Sequence, residues 1–182
     1  MAPALTLATA RLDLVATTLE HLQAELEAPA ELGGLLHAAV PPSWPPGLYD
    51  RDAMEFFRTR LVEGGPAAVG WYGWYAVLRA ETDRPATLVA GCGYFGPPGE
   101  DGIVEIGYSA APEFRGRGYT TECVQALTAR ALRSPDVRAV VAEAHAENAA
   151  SLKVLERCGF HQVGAGRDPG HHRYQHRPTS VG

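Results

Sequence analysis

The sequence predicts an α/β (α+β) fold in which a mixed sheet carries helices on both faces. Three observations predict it. Helical periodicity fills much of the first seventy residues, three short apolar stretches separated by turn signals follow, and the last third alternates strand, helix, strand, helix and strand patterns. The 182 residues, 46% of them hydrophobic, suit one domain spanning 1–182 with a sizeable core.

The elements follow in order. Ala10–Val15 alternates polar and apolar side chains as a strand does. Thr17 or Thr18 can cap a helix to about Glu27, with Glu20 in its first turn. Pro29 ends that stretch, and a second helix is expected over Glu31–Val40. Pro41–Gly47, with four prolines around Trp44, reads as a rigid loop. Asp50 then caps a helix to about Val62 that places Met54, Phe57 and Leu61 on one face. Trp71–Leu78, Thr87–Phe95 and Ile103–Ser109 form a strand meander, with turns at Asp83–Pro85 and Gly96–Gly102. A helix over Gly118–Leu132, a strand over Val137–Ala144 and a helix over Asn148–Cys158 stopped by Gly159 come next. Phe160–Val163 and His171–His176 complete a set of about seven strands, and residues 178–182 read as a loose tail.

Composition narrows the function classes. The net charge of -5 and a pI near 5.8 argue against a general nucleic-acid partner. Three scattered cysteines, Cys92, Cys123 and Cys158, are odd in number and without C-x-x-C spacing, which suits a reducing cytoplasm and no zinc site. No signal-peptide pattern and no apolar run of about 18 residues is found, so no membrane association is expected.

The informative segment is Glu105-Ile-Gly-Tyr-Ser-Ala-Ala-Pro-Glu-Phe-Arg115-Gly-Arg-Gly-Tyr-Thr-Thr121. A strand ends in a loop with two glycines and a helix begins. Glycines let consecutive N–H groups converge, and the helix N-terminus adds unpaired donors and positive dipole. Arg115 and Arg117 add forked donors, so the segment suits a pyrophosphate, although a plain strand-to-helix turn would use glycines too. A literal G-x-G-x-x-G at Gly91–Gly96 is a decoy, since prolines follow where a dinucleotide site needs a helix.

The run R-G-R-G-Y-T resembles the pyrophosphate motif of the GNAT superfamily of N-acetyltransferases, with Arg115 first, Gly118 fourth and Thr120 in place of a final Gly or Ala. A second stretch, Asn148-Ala-Ala-Ser151 onward to Gly159-Phe160, is similar to that superfamily's N-x-x-S/A signature. The two lie 30 residues apart from Gly118 to Asn148, a helix plus a strand, as the family requires. The E-I-G-Y-S strand, R-G-R-G-Y-T-T-E and the Ser in N-x-x-S are closest to the Rim-type ribosomal-protein N-terminal acetyltransferases. The resemblance covers roughly Trp71 to Gln175.

The resemblance implies a GNAT fold, with a mostly antiparallel sheet and a V-shaped splay between two central strands. It implies acetyl-CoA as co-substrate, no metal, and direct attack by a primary amine (protein N-terminus, amino acid or small amine), in a monomer or homodimer. Gly116, Arg117, Gly118, Tyr119, Thr120 and Thr121 would bind pyrophosphate through backbone amides. Asn148 would contact the pantetheine arm, a role compatible with capping a helix. Tyr108, Ser109 and Ala110 would offer backbone donors where the strand splays.

Glu105 is the candidate general base, with a structural ion pair as the alternative. The family's usual Tyr acid would fall at Leu155, a departure that leaves Ser151 as the substitute, with Tyr108 and Tyr119 as further options. That departure also keeps open a CoA-binding sensor without catalysis. A nucleotide-binding protein lacks any G-x-x-x-x-G-K here. The resemblance implies an acceptor site lined by the last strands and the loop between them, which makes His171, His172 and His176, and with them His145, candidates for acceptor contact; Trp44 reads as loop packing, with the acceptor mouth as the alternative.

Overall fold

The computed structural model describes residues 5–176, so the tail expected over 178–182 lies outside the described residues. Among the described residues eight strands form one sheet: β1 Thr6–Ala8, β2 Leu12–Ala16, β3 Gly73–Leu78, β4 Thr87–Tyr94, β5 Ile103–Ala110, β6 Ala139–His145, β7 Phe160–Ala165 and β8 His171–His176. Five helices accompany them: α1 Leu19–Glu27, α2 Leu32–Leu36, α3 Arg51–Gly64, α4 Tyr119–Leu132 and α5 Ala149–Arg157. The strand order is β1-β2-β3-β4-β5-β6-β8-β7, antiparallel throughout except for the β5–β6 pair.

The strand count and two boundaries differ from expectation for local reasons, and other element ends shift by one or two residues. The sheet has eight strands rather than about seven, because the three-residue edge strand Thr6–Ala8 is too short to show a period. The second helix stops at Leu36 rather than Val40. Gly33 and Gly34 weaken it, and His37, in the left-handed region with φ 50°, terminates it. The first meander strand starts at Gly73 rather than Trp71, because the Trp71 N–H closes a turn onto the Ala68 carbonyl at 3.0 Å.

Both faces of the sheet are covered, and β3 shows why all six of its residues are buried. Trp74, Ala76 and Leu78 face the main core, which Cys123, Val124, Leu127 and Ala131 of α4 and Leu155 of α5 complete. Tyr75 and Val77 face the other way, with Leu88, onto Leu32 and Leu36 of α2. Beside them Leu22 of α1 packs on Met54 and Leu61 of α3. Leu127 is fully buried at the centre of the α4 contact. Leu127→Ala therefore leaves a cavity, and urea unfolding is expected to show a loss of about 3 kcal/mol of stability.

The splay follows from the ladders. β5 pairs with β6 only through Ile103↔Ala139, Val104↔Val140 and Glu105↔Val141. Beyond Glu105, β5 stays with β4 as far as Ala90↔Ala110, while β6 stays with β8 from Val141↔Gln175 to His145↔His171. The two central strands thus part at Glu105, and a cleft opens between their C-terminal halves. Among the described residues no helix is long and apolar enough to cross a membrane.

Candidate active site

The splay opens into a cavity of about 280 Å³. Glu105, Tyr108 and Ser109 of β5, Glu143 of β6 and Ser151 of α5 line it. Leu48, Tyr49 and Phe57 come from the N-terminal half, and Phe95 follows β4. Arg167, Asp168 and His171 come from the β7–β8 turn and the start of β8. The sheet's divergence thus brings Glu105 and Ser151, far apart in sequence, to one space.

Beyond β5 the chain makes a single helical turn at Pro112–Phe114 and enters the glycine loop. Gly116 and Gly118 have φ of 72° and 81°, left-handed values that L side chains rarely adopt. A Cβ on Gly116 would meet nothing within 4 Å, so this side of the loop is open. Gly118 is the N-cap of α4 and offers no capping side chain, so the first N–H groups of a 14-residue helix are left to an incoming acceptor. Arg117 lies over the Phe114 ring at 5.7 Å. Arg115 bends back, its Nε donating to the Ala110 carbonyl at 3.2 Å, and so pins the loop to the end of β5. Tyr119 is buried, so only its backbone faces the loop. Thr120 and Thr121 are partly buried in the first turn of α4. This cradle fits a pyrophosphate.

A brace missed by the sequence reading holds the cradle. Arg11 donates through Nη1 to the Arg117 carbonyl at 3.0 Å and through Nε to Glu122 at 2.9 Å, and its guanidinium lies 4.6 Å from the Tyr119 ring centre. Glu122 also accepts from the Arg11 backbone N–H at 2.7 Å and the Thr9 hydroxyl at 2.5 Å. Burial acts to raise the Glu122 carboxyl, but these donors bring it below its ordinary value. The partners are separated by more than a hundred residues, so no local pattern could have revealed them. Arg11→Ala should loosen the loop by about 1 kcal/mol, measured as faster amide hydrogen exchange at residues 116–118.

On the other wall, Asn148 caps α5 by accepting the Ser151 N–H at 3.1 Å. Its oxygen is thereby engaged, and its amide nitrogen remains for another partner. Ser151 faces Tyr108 across the cleft: the two hydroxyls are 2.8 Å apart, and the Tyr108 hydroxyl is 3.2 Å from the Ser151 carbonyl. Burial pushes the Tyr108 phenol up to about 12, against the hydrogen bond with Ser151. Leu155 points into the core with 1% exposure, so the α5 position one turn later serves packing.

Glu105 sits at the vertex of the splay with its side chain 15% exposed, in contact with the Arg167 guanidinium. Burial raises its pKa, and nearby Glu143 adds to this, while Arg167 opposes it. The net shift is upward. Glu143 accepts the Arg167 backbone N–H at 3.0 Å and pairs with Arg167 Nε at 3.3 Å and Arg173 at 3.4 Å. Burial acts to raise Glu143 too, but these cations and the N–H bring it below its ordinary value. Glu105 thus has both an ion pair and a carboxyl shifted upward. A carboxylate inside the apolar run Ala139–Ala144 was a readable signal for Glu143. The Gly-flanked Arg167 gave none.

His171 lines the cavity and packs edge-on against His145, with ring centres 5.2 Å apart. His172 and His176 lie on a strand, and among the described residues no cluster of three His, Cys, Asp or Glu side chains is placed to hold a metal. All three cysteines are free and buried. Trp44 stands behind the cleft wall instead of at its mouth, with Nε1 bonded to the buried Glu25 at 2.7 Å and its ring 5.7 Å from Tyr49. Gly91 and Gly93 lie inside β4, so the G-x-G-x-x-G run opens no helix.

Comparison with known proteins agrees with this architecture. The chain is 32% identical over 109 residues to the uncharacterized N-acetyltransferase YjdG of Bacillus subtilis, covering 60% of this chain and 62% of that protein. It thus spans less than two thirds of that relative's length. Among solved structures it superposes on an acetyltransferase from Agrobacterium tumefaciens with a TM-score of 0.63 at 19% identity, covering 98% of this chain and 97% of that one. It also superposes on RimL, a ribosomal L7/L12 alpha-N-protein acetyltransferase in complex with coenzyme A, with a TM-score of 0.61 at 16% identity, covering 94% and 95%. At these identities the likeness is one of fold. Residues 11–161, from the Arg11 brace through both motifs, match the model of the acetyltransferase (GNAT) domain, and the chain belongs to that family.

Proposed function

We propose that this protein is an N-acetyltransferase that moves an acetyl group from acetyl-CoA to a primary amine by direct attack in a ternary complex. One observation carries the reading. The splay brings a raised carboxylate, Glu105, and a paired hydroxyl couple, Tyr108 and Ser151, into the same cavity, at the end of the strand that leads to the open glycine cradle. Acetyl-CoA supplies the thioester.

The backbone N–H groups from Gly116 to Thr121, with Arg117, hold the pyrophosphate, and the Asn148 amide reaches the pantetheine arm. Backbone donors around Tyr108, Ser109 and Ala110 polarise the thioester carbonyl, as an oxyanion hole does. Glu105 removes a proton from the acceptor ammonium, directly or through water, and the raised pKa makes it a stronger base than an ordinary carboxylate. The amine nitrogen then forms a bond to the acetyl carbon and the carbon–sulfur bond breaks. Of the two protons the ammonium loses, one is balanced by protonation of the leaving sulfur and the other goes to solvent.

Ser151 donates the sulfur's proton. Tyr108, whose hydroxyl lies 2.8 Å from Ser151 Oγ, relays a proton to the serine after the transfer and regains one from solvent. Thiol release from acetyl-CoA against peptides, amino acids and small amines tests the reading: amine-dependent release supports it. Saturable CoA binding with no release for any amine would favour a sensor instead.

A further inference from the structure

The cleft also carries a pattern of charge and apolar surface that bears on its acceptor. Three carboxylates line it, and two are already neutralised. Glu105 contacts Arg167, and Glu143 is paired with both Arg167 and Arg173. Asp168, at the rim, forms no ion pair among the described residues. That leaves local electrostatics for one ammonium, although the whole chain is acidic at -5. A polyamine or aminoglycoside would bring several charges and find one free carboxylate.

Two large apolar side chains stand exposed in the same lining. Leu48 is 89% exposed and Phe95 is 51% exposed, and both line the cavity. Exposed large apolar side chains lining a concave site mark a place where a partner surface is buried. Below them stand Tyr49 and Phe57, with ring centres 6.2 Å apart. The Phe95 ring lies against the catalytic strand: a Cβ on Gly107 would meet its edge at 3.1 Å. Phe95 is therefore seated two residues from Glu105. The Tyr49 hydroxyl is anchored at 2.6 Å to Glu25, whose carboxylate also takes the Tyr75 hydroxyl at 2.6 Å and Trp44. This buried network fixes the orientation of the Tyr49 ring in the wall and makes the apolar surface preformed.

We infer that the acceptor is a monoamine carrying an aromatic or flat apolar body beside its amine, which packs on Phe95 and on the wall formed by Leu48, Tyr49 and Phe57. This inference rests on the proposed acetyl transfer for its placement of the amine at Glu105. It selects among the acceptors that reading allows and disfavours polycations.

The test uses the full chain with acetyl-CoA and three probes, 2-phenylethylamine, ethylamine and spermidine, read by thiol release. The expected order of kcat/KM puts 2-phenylethylamine at least tenfold above the other two, in line with the value of burying one apolar group in a preformed pocket. Phe95→Ala should reduce that preference about tenfold, as a lost apolar contact with the ring of the acceptor requires. Equal rates for the three amines, or a preference for spermidine, would overturn the inference while leaving acetyl transfer intact.

Calorimetric binding of 2-phenylethylamine to the CoA-loaded protein separates the two readings if no amine is turned over. Binding that Phe95→Ala weakens would uphold the aromatic site and discard the transferase. No binding would discard the aromatic site.

Discussion

Glu105→Gln is expected to lower kcat by about a hundredfold or more while changing the KM for acetyl-CoA little, since a general base contributes about 10²–10⁴ and the substitution keeps the side chain's size. The pH profile gives the sharper signature. Only the ionised carboxylate accepts a proton, so kcat/KM rises with pH through the Glu105 pKa, which burial places above the ordinary 4.5. Arg167 lowers that pKa. Arg167→Ala should therefore move the rising limb to higher pH, the direction set by removing a favourable cation from a partly desolvated carboxylate. A limb that stays in place in Arg167→Ala, or survives in Glu105→Gln, would assign the titration to another group.

The second large effect concerns the hydroxyl pair. Ser151→Ala should reduce kcat by about fiftyfold and Tyr108→Phe by about tenfold, and the double variant should be little worse than Ser151→Ala. The reason is physical coupling. At 2.8 Å the two hydroxyls act as one donor chain, so removing the terminal member makes the other irrelevant. Additive losses in the double-mutant cycle would show that the two act separately. An acetyl thioester with a more acidic leaving thiol offers a further check: it needs less protonation and should restore much of the lost rate in both single variants.

How much of this was readable in advance depends on the range of the interaction. The cradle was legible because its parts are consecutive: a strand end, Gly116, Gly118 and a helix start are a local pattern with a local purpose. Asn148 and Ser151 were legible for the same reason, three residues apart at a helix start. Glu105 could be named but not interpreted. Its raised pKa comes from burial at the splay, and its ion pair comes from Arg167, 62 residues on. Tyr108 is the instructive case. It lies inside the E-I-G-Y-S strand, and nothing local says that its hydroxyl crosses the cleft to Ser151, 43 residues away.

The departure at Leu155 follows the same logic. Read alone, it weakens the case for catalysis. In the fold its position is a core position, and the hydroxyls that line the cleft are those of Ser151, one turn earlier on α5, and Tyr108 of β5. The N-terminal half had no motif at all. Its contribution, a wall of Leu48, Tyr49 and Phe57 held from behind by Glu25, depends on side chains from α1, the proline-rich loop, α3 and β3 meeting in space.

The most direct measurement of the central claim is a single-turnover reaction with enzyme in excess over acetyl-CoA, quenched and analysed by mass spectrometry for free thiol, acetylated amine and acetylated protein. With an accepted amine present, free thiol and acetylated amine should appear together at one rate and in equal amounts, the protein should stay unmodified, and without amine little thiol should be released. Thiol released ahead of the acetylated amine, or an acetyl group found on the protein, would contradict direct attack within the splayed cleft.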